Sequence, residues 1–514
     1  MLSLQRRPAV SATALLVALG ATVAASSAQA AVTAQAVWDE LKSNMDLSAE
    51  GGVTVGSEDL AGGVLTVTDL AFSSTGEQGT TVSGTIPQIT FTENGDGTVA
   101  VAMTEEVPIT VTSPADPATG SPATDVALTI RQTGATTTVS GDPGALTYDV
   151  AASRYAVELD RLAQDGAEVP VEGTLAFNDV AGTTTTTTTG EAKSSVAAYQ
   201  AGSMDVLVDA ANPEDGSRFN LSGQVQTIAL NADTTMPLDA AESPGASLMN
   251  GMAGTGGYST GPGRYSFEFE ATDAAGPASG TVATGGGEVT FDVGAEAMGY
   301  DASARGLQVD VTWAGLPPIS VSLAEYGVNA LIPTAKTDAP APWAVGVNLS
   351  DLAINEEVWA LFDPQGMLAH DPATVIMQLS GTATLLFDLF DPAQQQAMAA
   401  APAPAEVNSV SLDDLNLSVG GAQVTGTGSF TLDNTDTTTF PGIPRPEGVA
   451  EFQLNGVNAL IDDLVAMGLL PQEQVMGARM VLGLLTVPAG DDQLTSRIEV
   501  TADGQLLANG QRLQ

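Results

Sequence analysis

The sequence predicts a mainly β protein, a long antiparallel meander of curved and twisted sheets with a few short helices. Three observations lead there. Apolar and polar residues alternate in short runs over most of the chain, the period-2 pattern of strands with one buried face. Gly, Asp, Asn and Pro, the residues of turns, separate the runs. The runs also follow one another too closely for the helical crossovers, roughly a dozen residues or more, that parallel βαβ units need.

In chain order, residues 1–30 have the form of a secretory leader: Arg6 and Arg7, an apolar stretch from Val10 to Ala25, then Ala28-Gln29-Ala30 as the cleavage site, with cleavage after Ala30. Twin-arginine export is the weaker reading of Arg6-Arg7, because Pro8 follows directly. Thr33 is placed to cap a helix whose Val37, Trp38, Leu41 and Met45 fall at helical spacing. The clearest hairpin runs through Ile86, Ile89 and Phe91, turns at Asn94-Gly95-Asp96-Gly97, and returns through Val99, Val101 and Met103. Further strands are expected at Val126-Leu128-Ile130, Leu146-Tyr148-Val150, Tyr155-Val157-Leu159, Tyr265-Phe267-Phe269 and Ile319-Val321-Leu323, each followed by turn residues. The threonines Thr183 to Thr189 read as a β-prone or looped surface tract, with glycosylation a lesser reading.

Asn355 is placed to cap a short helix bearing Val358, Leu361 and Phe362 and ended by Asp363-Pro364. Near the C terminus Val457, Leu460, Ile461, Leu464 and Val465 follow the i, i+3, i+4, i+7, i+8 rule, and Gly468 is the natural stop. A second helix is expected from about Pro471 to Leu485, the pair covering one face of the sheet. Gly/Ser-rich residues 243–263 are read as a linker between an N-terminal β-rich domain, 31–242, and a C-terminal one, 264–514, that holds the helix pair near 457–485. Residues 333–342 and 391–404 are further breaks. The hexapeptide Gly327-Val328-Asn329-Ala330-Leu331-Ile332 recurs at Gly456-Val457-Asn458-Ala459-Leu460-Ile461, by duplication or by coincidence in an Ala/Val/Leu-rich chain.

Composition bounds the function. With 514 residues, 43% of them apolar, the chain has material for two or more buried cores, and whole-chain disorder is excluded. Its net charge of −46 repels phosphate backbones, which excludes nucleic-acid binding. Without cysteine there is no disulfide framework, no thiolate ligand and no lipidated cysteine. After the leader no stretch reaches the roughly 18 apolar residues of a membrane-crossing helix. Aromatic residues, at 5%, are too few for the two girdles of an outer-membrane barrel. The periplasm is the expected location, with secretion the alternative.

The chemistry of single sites is sparse. His370 is the one histidine and reads as a turn residue in Leu368-Ala369-His370-Asp371-Pro372, since one imidazole cannot supply a zinc site and no nucleophile motif flanks it. The three lysines, Lys42, Lys193 and Lys336, lie in no S-x-x-K pattern. Gly254-Thr255-Gly256-Gly257 and Gly285-Gly286-Gly287 lack the Lys and the strand-turn-helix context of a phosphate loop. The acid pairs Asp413-Asp414, Asp462-Asp463 and Asp491-Asp492 read as solvated charge, and Asp433-Asn434-Thr435-Asp436 is only a fragment of a calcium loop. No catalytic, cofactor-binding or metal-ligating residue is assigned and no cofactor is expected, although the surface charge should attract divalent cations.

From Ile443 to Leu513 the chain resembles the bacterial DUF2125 family, exported proteins best known from alphaproteobacteria. The resemblance rests on Pro446-Glu447-Gly448 before the strand Val449 to Leu454, on Gly456-Val457-Asn458-Ala459-Leu460-Ile461-Asp462-Asp463-Leu464, on the joint Gly468-Leu469-Leu470-Pro471, and on the closing Asp503-Gly504 and Asn509-Gly510 turns. The leader, the Trp38 helix and Leu65-Thr66-Val67-Thr68-Asp69-Leu70 fit the same layout. The closing turns are also similar to AsmA-like and YdgA-like periplasmic proteins. The resemblance implies an envelope protein and brings no catalytic residues with it.

The expected function is therefore non-catalytic: binding of lipid or another hydrophobic ligand on an apolar sheet face that few helices shield. The alternative is a structural or interaction protein of the envelope that uses its acidic surface. A hydrolase built on acidic residues ranks last.

Overall fold

The computed structural model describes residues 32–48, 52–76, 79–116, 119–213, 215–238, 244–271 and 276–513; the predicted leader lies outside them. The fold is mainly β, and every strand pair of known register is antiparallel, mostly between neighbours in sequence. Among the described residues six helices interrupt the strands: α1 (Ala34–Ser48), α2 (Pro244–Met249), α3 (Glu356–Phe362), α4 (Gln395–Ala400), α5 (Val457–Ala466) and α6 (Gln472–Leu485). The chain divides into two compact units, Met1–Thr234 with Tyr258–Ser279, and Thr235–Gly257 with Gly280–Gln514. Within the Gly/Ser-rich stretch, α2 and the strand Ala253–Thr260 are formed.

The first unit has a closed core built around α1. The Thr33 hydroxyl accepts from Ala36 N at 3.2 Å, the N-cap expected of it. Val37, Trp38 and Met45 then fall on one side of the helix and are buried against Leu65, Val67, Ile89, Phe91, Val99, Val139 and Tyr148 from the sheet. Trp38 stands 5.8 Å from Phe91, ring centre to ring centre. An ion pair between Glu40 and Lys193 ties the helix to the strand Ala192–Ala211.

The strands keep their apolar side inward by local changes of phase. In Val64–Thr75 the buried residues are Leu65, Val67 and then Leu70; the alternation resets at Asp69, at φ 50°, with no change of register against Thr81–Glu93. Asp179 (φ 51°), Thr227 (φ 49°) and Asp351 (φ 55°) sit in the same left-handed region within later strands. Glycines face several of them: a Cβ at Gly56 would stand 2.9 Å from Asp69 Cβ, and one at Gly202 3.3 Å from Asp179 Cβ. Such a reset corrects one expectation. Leu146-Tyr148-Val150 and Tyr155-Val157-Leu159 belong to the single strand Ala145–Gln164, and the phase changes at Ser153, opposite Gly134. Thr183 to Thr188 of the threonine tract lie in the strand Val171–Thr188, and Thr189 follows it.

The C-terminal helices form where the periodicity puts them, and Gly468 (φ 74°) ends α5 with Gly468 N bonded to Val465 O and Leu469 N to Leu464 O. They do not blanket the sheet. Among their described residues only Val475 is buried; α5 lies beside the strand Ala422–Asp433 and α6 beside Gln493–Val500. The repeated hexapeptide takes two conformations. Residues 327–332 continue the strand Ile319–Pro333, whereas Gly456 adopts φ 68° and Val457 opens α5. The difference comes from Asp492, whose carboxylate accepts from Asn458 N at 3.2 Å and Ala459 N at 3.0 Å and so caps the helix from another turn.

Candidate functional site

In the second unit, cross-strand register aligns the apolar residues into rows. One row passes from Phe291 through Tyr300, Ala330, Val345, Leu379, Leu412, Gly428 and Ala450 to Ile498, each directly opposite the next. A second follows Val289, Ala302, Val328, Val347, Met377, Leu415, Gly426, Phe452 and Ser496. A third follows Gly287, Ala304, Tyr326, Leu349, Val375, Leu417, Val424, Leu454 and Leu494. Directly opposed residues share a face, so the three rows form one apolar band. At about 4.8 Å per strand the band extends on the order of 40 Å across the strands.

The opposite face is polar. Asp301, Asn329, Gly346, Gln378 and Asp414 make up its corresponding row. Nearby, Arg497 bonds Glu451 at 3.0 Å and Glu499 at 3.1 Å. Two-sided amphipathicity of this kind normally means that the apolar side is packed against something. Here it stays open: Tyr300 is 47% exposed, Val345 43% and Met377 40%, and Phe291, Tyr326, Val375 and Leu417 are also exposed.

The first unit has the same grain. Val107, Ile130, Val157, Leu175 and Val206 form one row, and Ile109, Leu128, Leu159, Gly173 and Val208 the next. Its polar side carries Arg131 bonded to Glu106 and Glu158, and Arg154 bonded to Asn178, which in turn donates to Asp205. Hydrogen bonds from Gln224 and Asn178, with the Arg154 charge, hold the Asp205 carboxyl below the usual carboxylate range.

The acidic motifs are engaged structurally. Asp433 Oδ1 accepts from Thr435, and Asp436 from Thr438 and Thr439; Arg445 lies against both acids, at 3.1 and 3.3 Å. The calcium-loop fragment thus already holds a guanidinium. Hydrogen bonds from Thr435 and Arg445 lower the Asp433 carboxyl, and those from Thr439 and Thr438 lower that of Asp436. Asp413-Asp414 occupy a bulge between Leu412 and Leu415, Asp462 pairs with Arg479 at 2.6 Å, and Asp492 caps α5. Among the described residues no group of three or more His, Cys, Asp or Glu is placed to hold a metal ion, and no helix is long and apolar enough to cross a membrane.

His370 is more than a turn residue. Its ring stacks on Trp359 at 4.3 Å and 5°, with Glu356 2.9 Å from Nδ1 and Asp363 3.4 Å from Nε2. Sequence reasoning missed this arrangement because Glu356 lies fourteen residues away; the signal available was the helix-turn pattern that sets Trp359 and Asp363 on the same turn.

Residues 260–510 match the family described as "Uncharacterized protein conserved in bacteria (DUF2125)". The matched segment contains every strand of the three apolar rows. No curated protein and no solved structure matches the chain.

Proposed function

We propose that this chain is a DUF2125 protein of the bacterial cell envelope, exported to the periplasm or released from the cell, that binds lipid or another hydrophobic ligand on the apolar band and performs no catalysis. The observation that carries the reading is the register of the three rows, which gathers half-exposed aliphatic and aromatic side chains from nine successive strands onto one side. An apolar surface of that extent is a binding surface or an aggregation hazard. Each methylene of a ligand buried there contributes about 0.8 kcal/mol, so about ten contribute roughly 8 kcal/mol before the costs of association are met. Ligands with long alkyl chains are therefore favoured over small apolar molecules.

Mass spectrometry of small molecules retained by protein purified from its native compartment tests the reading, together with titration of a fluorescent acyl probe. Retained lipid and saturable probe binding support it. Protein that comes away clean and leaves the probe dark refutes it.

A second reading, a structural or interaction protein of the envelope, draws on the net charge of −46 and the charged ladders of the polar faces. It predicts association with basic partners, or through divalent cations, that weakens steeply with salt. Hydrolysis by acidic residues ranks last, because the paired acids serve as a cap, a bulge and an ion pair.

A further inference from the structure

We propose that His370 is the proton-sensitive pin of a strap: protonated, it fastens residues 364–372 to α3, and on losing its proton it lets that connection loosen. Together with α3 the strap links the strand Ala341–Ile354 to the strand Ala373–Leu385, both of which contribute to the apolar band. The helix it fastens carries Leu361, 66% exposed, and Phe362, 47% exposed.

The geometry assigns a carboxylate oxygen to each ring nitrogen, Glu356 Oε2 at Nδ1 and Asp363 Oδ2 at Nε2. A neutral imidazole has one N–H and one lone pair, so it satisfies only one of these oxygens and points electrons at the other. An imidazolium donates to both, and its charge lies over the indole face of Trp359. Asp363 cannot turn aside: its side chain is 1% exposed and accepts from Met367 N at 3.0 Å and Leu368 N at 2.8 Å. Those two backbone bonds hold its carboxyl below the usual range, so it stays charged while the histidine titrates.

The charges acting on the ring are those of Glu356 and Asp363. Glu357, next on α3, accepts instead from Asn355. The turn Gly420-Gly421, beside Leu368 and Ala369, has no titratable group. Glu325, on the strand beside α3 and level with Ser350, and the adjacent Asp371 do not shift the ring. Partial burial alone would lower the imidazolium, but Glu356 and Asp363 outweigh it, and the net direction is upward. A raised value means the fastening is complete below the ordinary histidine range of about 6.5 and is lost as pH rises through the folded value.

With only one histidine in the chain, its C2 proton gives a single assignable NMR signal in the intact protein. The expected result is a midpoint above 6.5, a fall of about tenfold in the hydrogen-exchange protection of the Met367 and Leu368 amides over the same pH interval, and a downward midpoint shift in Glu356→Gln. In His370→Gln the step in protection disappears. Glu356, with a side chain 76% exposed, can be changed without risk to folding, so its variant decides the matter if His370→Gln does not fold. A midpoint at the free-histidine value, or amide protection with no step through the titration, overturns the proposal.

Discussion

The ring of Tyr199 occupies the place where a side chain at residue 182 would begin: a Cβ at Gly182 would stand 2.2 Å from Tyr199 Cδ1. The two residues are directly opposed on neighbouring strands, and Phe452 covers Gly426 in the same way, at 2.3 Å. Here the aromatic ring supplies the packing that the glycine lacks.

Gly182→Ala should therefore destabilise the protein by about 1–3 kcal/mol, the range for overpacking a filled site. Gly477→Ala, in α6 with open space around it, should stabilise by up to about 1 kcal/mol. Denaturant midpoints of the two variants measure the contrast; equal shifts would show that the ring moves aside at little cost.

Trp38→Ala removes a fully buried side chain from the centre of the closed core and should cost about 3–5 kcal/mol. Val345→Ala, on the open band, should cost well under half of that. Chemical unfolding of both variants checks whether one unit is packed shut and the other is not.

Val345→Asp and Met377→Glu place charge on the band at residues that are 43% and 40% exposed. Acyl-probe affinity should fall at least about tenfold, with unfolding midpoints little changed, because the wild-type side chains are already half in water. Retained affinity would move the binding surface elsewhere.

Asp492→Ala should cost about 0.5–2 kcal/mol by uncapping α5, while Asp492→Asn keeps an acceptor and should cost less. Burial alone would raise the Asp492 carboxyl, but bonds from Ala459 and Asn458 lower it on balance. Its contribution is thus present above the ordinary aspartate range and is lost as pH falls through the depressed value. Helix content near 222 nm, followed from neutral to acid pH in the wild type against both variants, reads this out.

What the sequence made legible was local. Thr33, Gly468 and Pro471 mark helix ends because capping chemistry is confined to a few residues. Ser153 was illegible for the complementary reason: a phase change within a strand looks like a turn until the partner strand is seen. The hexapeptide at 327 and 456 shows the limit most directly, since Asp492, thirty-four residues from Asn458, decides which conformation is kept. For the candidate site, alternation showed that each strand had an apolar side, but only register could show Val345 meeting Ala330 and Leu379 in one row.

The left-handed residues Asp69, Asp179, Thr227 and Asp351 also bear on how such a protein can change length. At Asp69 and Asp179 the paired strands change phase together without a change of register, so a whole hairpin can be gained or lost without turning the remaining strands inside out. Relatives should differ in size by multiples of a strand pair, with the oily side preserved.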